Sequence, residues 1–236
     1  MLWLLTGVTA AVLVLIAGFV REISKSPTVA RPAALTATAR TARHGIASPS
    51  PSAVRKVQEI TDASSGLSYR FLTAPWLRGC PGILDTAMFS WTAGEHALAG
   101  RVNLGGTVFD WHGNACSGQL QQQFAYSGPN DLQLVTIAVA DAVDRAYYSG
   151  PVDASTIESS SSMLVSGHQA WMVTFLVNYP DAASEGLAWT SEAGAVVVVD
   201  RGANRAPAVF YASVPSDLGT SDVATLVSSL RLAGLR

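Results

Sequence analysis

The sequence predicts an α+β domain, an antiparallel sheet flanked by helices, carried behind one N-terminal membrane span. Three observations predict it. Residues 1–20 are an apolar run without a side-chain charge. Residues 21–60 are rich in Pro, Ala, Ser and Thr, lean basic, and show no packing period. From 61 to 236, segments of period two alternate with segments of helical period, in the order strands, helix, several strands, helix.

The run MLWLLTGVTAAVLVLIAGFV rises about 30 Å as a helix, one hydrocarbon thickness. No Lys or Arg precedes it and no Ala-x-Ala closes it, which favours an uncleaved anchor over a secretory signal. Trp3 is of the type that sits at a membrane interface. Gly7 and Ala11 form a small-xxx-small pair suited to close helix approach. Orientation is contested. Arg21 and Lys25 follow the span, and the positive-inside rule draws that flank to the cytoplasm. The spacer composition and the two cysteines argue for an extracytoplasmic body, which is the expectation here.

Pro27, Pro32, Pro49 and Pro51 block regular structure in the tether. As coil, 30 such residues reach roughly 30 Å. A short helix over 53–62 is the one element it suggests. Seven basic residues lie between 21 and 56, against the single acid Glu22. From 57 onward there are eight basic and sixteen acidic residues and no lysine, a net charge near −8. Such a field repels phosphate backbones and excludes nucleic acid as a partner of the body. The basic flank suits lipid headgroups or an anionic envelope polymer.

In the body, Leu67, Tyr69 and Phe71 alternate within GLSYRFL, a first strand. Ala87 to Trp91 reads as a second, continued or followed by a loop over 95–102. Gly105-Gly106 is a turn. Thr107–Trp111 and Gly118–Tyr126 read as extended segments around a tight His112-Gly113-Asn114 turn, the second with a helical alternative from its glutamines. Ser127-Gly128-Pro129-Asn130 breaks the chain, and a helix follows with Asn130 as N-cap and Asp131 in its first turn. Leu134, Ile137, Ala138, Asp141, Ala142 and Arg145 keep helical spacing, Leu132, Val135, Val139, Val143 and Ala146 crowd the apolar stripe, and Gly150-Pro151 stops it. Thr156–Val165 and Gln169–Tyr179 flank Ser166-Gly167 as a hairpin. Leu187–Trp189 leads into Ala195–Val199, a continuous apolar run typical of a central strand. Ala208–Val214 is its partner, and Ser221–Leu230 is the last helix.

Cys80 and Cys116 are the only thiols, both beside turn residues, and form a candidate disulfide. Cys116, His112 and His96 lack metal-ligand spacing, and no metal or other cofactor is expected. Glu95-His96 is the most enzyme-like pair, but neighbours on a strand face opposite sides. Gly167-His168 reads as a hairpin turn, no G-x-S-x-G elbow is present, and no catalytic residue is assigned. No phosphate-binding glycine loop follows a strand. Trp76, Trp91, Trp111, Trp171 and Trp189 lie in or beside predicted strands. They are either core or the lining of an aromatic groove for a lipid, glycan or peptide, rimmed by loops at 77–86 and 180–188.

The body resembles a group of actinobacterial membrane-anchored envelope proteins. The residues that carry the resemblance are GLSYRFLTAPW, FAYSGPNDL at the helix entry, AYYSG at its end, VSGHQAW, and VVVVDRG with FYASVP before the terminal helix. More loosely it is similar to the Mog1/PsbP-like α/β/α sandwich that includes LpqN-type lipoproteins. That resemblance implies about seven antiparallel strands flanked by helices, an outward-facing body, and a non-catalytic adaptor or ligand-binding role in the envelope. The chain departs from those lipoproteins in lacking a lipid-accepting cysteine.

The functional expectation is a membrane-tethered, extracytoplasmic binding or adaptor module that is not an enzyme. It would hold an envelope protein or a lipid or glycan ligand. Two alternatives stand beside it: an assembly protein acting through its transmembrane helix, and an envelope hydrolase using His96 or His168.

Overall fold

The structure is a computed structural model and describes residues 58–104, 106–148 and 155–233. The apolar run 1–20 and nearly all of the tether lie outside them. No helix among the described residues is long and apolar enough to cross a membrane.

The described residues form ten strands and two helices: β1 (Glu59–Thr61), β2 (Leu67–Arg70), β3 (Leu77–Arg78), β4 (Trp91–Leu104), β5 (Thr107–Gln119), α1 (Leu132–Tyr147), β6 (Thr156–Val165), β7 (His168–Asn178), β8 (Ser191–Val199), β9 (Ala208–Pro215), α2 (Ser221–Ser229) and β10 (Arg231–Leu232). Short 3-10 turns occupy Gly82–Leu84 and Pro129–Asp131. Seven strands build one antiparallel sheet in the order β3-β4-β5-β9-β8-β7-β6. A second sheet has the order β1-β2-β10.

The central strands explain the layering. In β8, Val196 and Val198 pack on one side of the sheet while Ala195, Val197 and Val199 pack on the other. In β9, Val209 and Tyr211 share the first side, and Ala208, Phe210, Ala212 and Val214 the second. Strands that are apolar on both faces need two covers. The row Leu132, Val135, Val139 and Val143 of α1 covers the first face, and Leu134 is left exposed. The second cover is composite. Val223, Leu226 and Leu230 come from α2 and its end, and Ile60, Leu67, Tyr69 and Leu232 from the small sheet. The buried Asp62 ties that small sheet to β4, accepting from the Ser65 hydroxyl at 2.6 Å and the Thr92 hydroxyl at 2.8 Å.

Several boundaries differ from the sequence reading. Glu59–Thr61 is strand, so the suggested helix over 53–62 is not helical there. Residues 87–90 are loop, and β4 starts only at Trp91 but runs on through 95–102. His112-Gly113-Asn114 is no turn; it lies inside β5. A Cβ on Gly113 would stand 2.8 Å from Leu218 and 3.2 Å from Pro215, so this glycine serves a close approach across the sheet. β5 ends at Gln119, and residues 120–126 are neither strand nor helix. The Leu120 amide donates to the Pro207 carbonyl at 2.9 Å, but Pro207 has no N–H to return, and the ladder with β9 stops. Pro129–Asp131 forms a 3-10 turn where Asn130 was the expected cap, and α1 starts at Leu132.

Cys80 and Cys116 form a disulfide. It crosses β4 at Gly94, where an added Cβ would collide with the Cys80 sulfur and lie 2.6 Å from the Ala115 carbonyl oxygen. The bond closes a loop of sequence separation 36. Replacing both cysteines by serine should lower stability by about 3–4 kcal/mol in equilibrium denaturation, from chain entropy. A loss below about 1 kcal/mol would show that the unfolded loop is already restrained.

Candidate functional site

The pleat separates Glu95 from His96. Glu95 is fully buried on the α2 side, where one carboxylate oxygen accepts from the Leu72 amide at 2.9 Å and the other has no partner. His96 faces the other way, with Nδ1 2.7 Å from the Gly79 carbonyl oxygen and its ring 5.4 Å from that of His112. His168 Nδ1 lies 3.2 Å from the Asp200 carbonyl oxygen. Among the described residues, neither His96 nor His168 bonds a carboxylate or hydroxyl through its ring. No group of three His, Cys, Asp or Glu side chains there is placed to hold a metal ion.

The five tryptophans do not line one groove. Trp76 is buried on the α2 side of the sheet, and the other four pack on the α1 side. Trp171 donates from Nε1 to the Ser160 hydroxyl at 2.8 Å. Trp91 donates to the Tyr147 hydroxyl at 3.0 Å and stacks on Phe89 and Tyr211. Trp189 is 1% exposed, stacks on Trp111, and its ring nitrogen finds no partner. Trp171, Trp91 and Trp189 are therefore core or core margin: Trp91 and Trp171 are strand residues on the α1 side, and Trp189, just before β8, packs on Trp111.

Trp91 borders a hollow of only about 10 Å³, and Trp111 lines a larger cavity. That cavity, about 230 Å³, lies under the C-terminal end of α1 against β5, β8 and β9. Its aromatic walls are Phe109, Trp111, Tyr147, Tyr148 and Tyr211. Pro81 and Leu84, from the predicted 77–86 rim, close one side; no residue of 180–188 borders it. Its volume equals that of roughly seven liquid waters.

The polar end of the cavity is Glu192. The side chain is 1% exposed, at the start of an otherwise apolar strand. It accepts three hydrogen bonds: Trp111 Nε1 at 2.9 Å, the Tyr179 hydroxyl at 3.0 Å and the Tyr148 hydroxyl at 2.8 Å. The Tyr148 hydroxyl also meets the Ser213 hydroxyl at 2.7 Å and the Tyr211 hydroxyl at 3.1 Å. Burial pushes the Glu192 carboxyl up to about 7, against the pull of its three donors. Burial and the nearby Glu192 charge raise Tyr148, Tyr179 and Tyr211 as well, so all three stay protonated as donors. Asn114 stands beside this network. Its amide nitrogen donates to the His112 carbonyl at 2.8 Å, and its side-chain oxygen, buried at the cavity wall, has no partner.

A second hollow, about 630 Å³, opens between residues 120–129 and the 200–207 loop. Its wall mixes Gln121, Gln122, Asn204 and Arg205 with Leu120, Phe124 and prolines, and its Tyr126 and Asp200 bond each other at 2.7 Å. The cavity of about 230 Å³ is the stronger candidate, because there the buried Asn114 side-chain oxygen has no partner.

The chain path has a PsbP-like neighbour. It is similar to the solution structure of cyanobacterial PsbP (CyanoP) from Synechocystis sp. PCC 6803, with a TM-score of 0.42 and 12% identity, covering 79% of this chain and 98% of that chain. No family model matches the sequence, and no curated protein matches it. A likeness at that level concerns the chain path alone.

The sequence reading missed Glu192, Asn114 and the tyrosines around them. One signal was available: Glu192 is the single charge in SEAGAVVVV, an acid at the head of a strand buried on both faces. Its ordinary value near 4.5 in the unfolded chain lies below its folded value of about 7. The folded state thus holds the proton more tightly, and this stabilising contribution is complete below about pH 4.5 and lost as pH rises to about 7. Unfolding free energy should therefore fall by up to about 3 kcal/mol across that window on account of Glu192. Glu95, pushed up to about 7 by burial, adds a decline of the same sign. Urea titrations across the window should show a shallower decline in Glu192→Gln than in the parent chain; an equal decline would mean that Glu192 is not the titrating group.

Proposed function

We propose that the protein is a single-span, membrane-tethered module of an actinobacterial cell envelope that binds a small ligand on the extracytoplasmic side without changing it chemically. The observation that carries this reading is the α1-side cavity. It pairs aromatic walls with a few convergent polar groups, the usual make-up of a small-molecule site. Its lining holds no serine, threonine or cysteine to serve as a nucleophile. Glu192 is occupied as an acceptor of three bonds, which suits holding a ligand better than moving a proton.

Two further features support the placement. The Cys80–Cys116 bond belongs to an oxidising compartment. The uncharged run 1–20 and the proline-rich stretch after it suit an anchor and a spacer. The fold expectation drawn from LpqN-type lipoproteins is compatible with this role, with a helix in place of their lipid.

The placement is tested on intact cells with a membrane-impermeant maleimide. Labelling of Cys80 and Cys116 only after an impermeant reductant is the expected result. Thiols that label only after lysis would put the body in the cytoplasm and end the envelope reading. The binding role is tested with Ala146→Trp, which places an indole in the cavity. Native mass spectrometry of chain purified from its own membranes should find a small non-covalent adduct on the parent and none on the variant. Equal adduct on both would move the site elsewhere.

A further inference from the structure

The hydrogen-bond inventory of the cavity is lopsided. Every tyrosine hydroxyl and the tryptophan N–H that line the cavity are already spent. Trp111, Tyr148 and Tyr179 donate to Glu192, and Tyr147 donates to the Leu84 carbonyl at 2.6 Å. Tyr211 and Ser213 engage the Tyr148 oxygen. The Asn114 amide nitrogen is committed to the His112 carbonyl, which fixes the direction of the amide. What remains unspent is acceptor capacity. Asn114 Oδ1 is buried without a partner, and a carboxylate with about four acceptor positions uses three.

The charge inventory points the same way. Glu192 and Asp110 both line the cavity, and no lysine or arginine does; Asp110 is paired with Arg101 at 3.0 Å, so Glu192 is the carboxylate left without a counter-charge. The described residues contain no lysine at all. His112 also borders the cavity, but burial and the neighbouring His96 hold it below the usual imidazole range, so it supplies no cation at neutral pH. A buried carboxylate without a counter-charge is costly, and aromatic faces are the surfaces that best accept a cation without hydrating it. The net charge near −8 of residues 57–236 draws cations toward the domain.

We propose that the α1-side cavity binds a small organic cation, an amine or quaternary ammonium group seated among Trp111, Tyr147, Tyr148 and Tyr211 with Glu192 and Asn114 facing it. The inference rests on the reading of this cavity as the ligand site. The cation supplies what the walls lack, positive charge for Glu192, and a polar substituent on it supplies a donor for Asn114. The cavity volume, about 230 Å³, admits a group of choline size.

The test is calorimetric titration of the full chain in an uncharged detergent. The probes are choline and its uncharged tert-butyl carbon isostere, of equal shape. Choline should bind about tenfold or more tightly than the isostere. Glu192→Gln should bring the two affinities together, and Ala146→Trp should abolish binding of both. Equal affinity of the parent chain for both probes, or no choline binding at millimolar concentration, overturns the cation inference. The comparison of probes needs only the parent chain, so it stands whether or not the glutamine variant folds. Binding of the isostere that Ala146→Trp removes, without a preference for choline, leaves the cavity as the ligand site and removes only its charge preference. Choline binding that survives Ala146→Trp overturns the site itself.

Discussion

The structure depends on one constraint: β8 and β9 are apolar on both faces. A sheet with such strands at its centre is not stable with water on either side, so the chain must provide two covers. One is a single element, α1, which crosses the sheet between β5 and the far edge strand β6. The other is assembled from both ends of the body, with β1 and β2 from its beginning and α2 and β10 from its end. β2 pairs with β10 through Ser68 and Leu67. The second core therefore closes only when the last residues of the domain have arrived. Cooperativity across the whole chain follows from that arrangement.

The candidate site is a local exception to the same constraint. Glu192 occupies a position where the strand pattern calls for an apolar residue, and the surroundings answer with three donors. Trp111, Tyr148 and Tyr179 come from three separate segments, and each gives its polar tip to the carboxylate while its ring packs in the core. Removing the carboxylate would leave all three donors short of an acceptor. The network therefore fixes the positions of the rings that wall the cavity, whatever occupies it.

Long strongly periodic elements were legible in the sequence. The hairpin of β6 and β7, the run of β8 with its partner β9, and both helices stand where the apolar spacing put them. The failures share a cause. Glycine was read as punctuation at His112-Gly113-Asn114, but Gly113 is there because Leu218 and Pro215 need its side-chain space. That requirement is a tertiary contact and leaves no local mark. The five tryptophans were grouped by residue type, and the pleat and the two-layer core then sent Trp76 to one face and the others to the opposite face. Asn114 gave no signal, since an amide with one unsatisfied atom reads like any other. Glu192 was visible as a charge in an apolar run, but its three donors lie 13, 44 and 81 residues away in sequence.

The position of the disulfide has a consequence for the cavity wall. Pro81 and Leu84, which close one side of the cavity, follow Cys80 directly, and the bond to Cys116 fastens that segment to the centre of the sheet. The seven-stranded scaffold owes its order to hydrogen bonds and apolar burial, which form in any compartment. The wall at Pro81 and Leu84 is held by that covalent link and also by hydrogen bonds, the Tyr147 hydroxyl donating to the Leu84 carbonyl at 2.6 Å and the Gly79 amide to the Gly94 carbonyl at 2.7 Å. Of these holds on the wall, only the disulfide depends on the redox state of the surroundings.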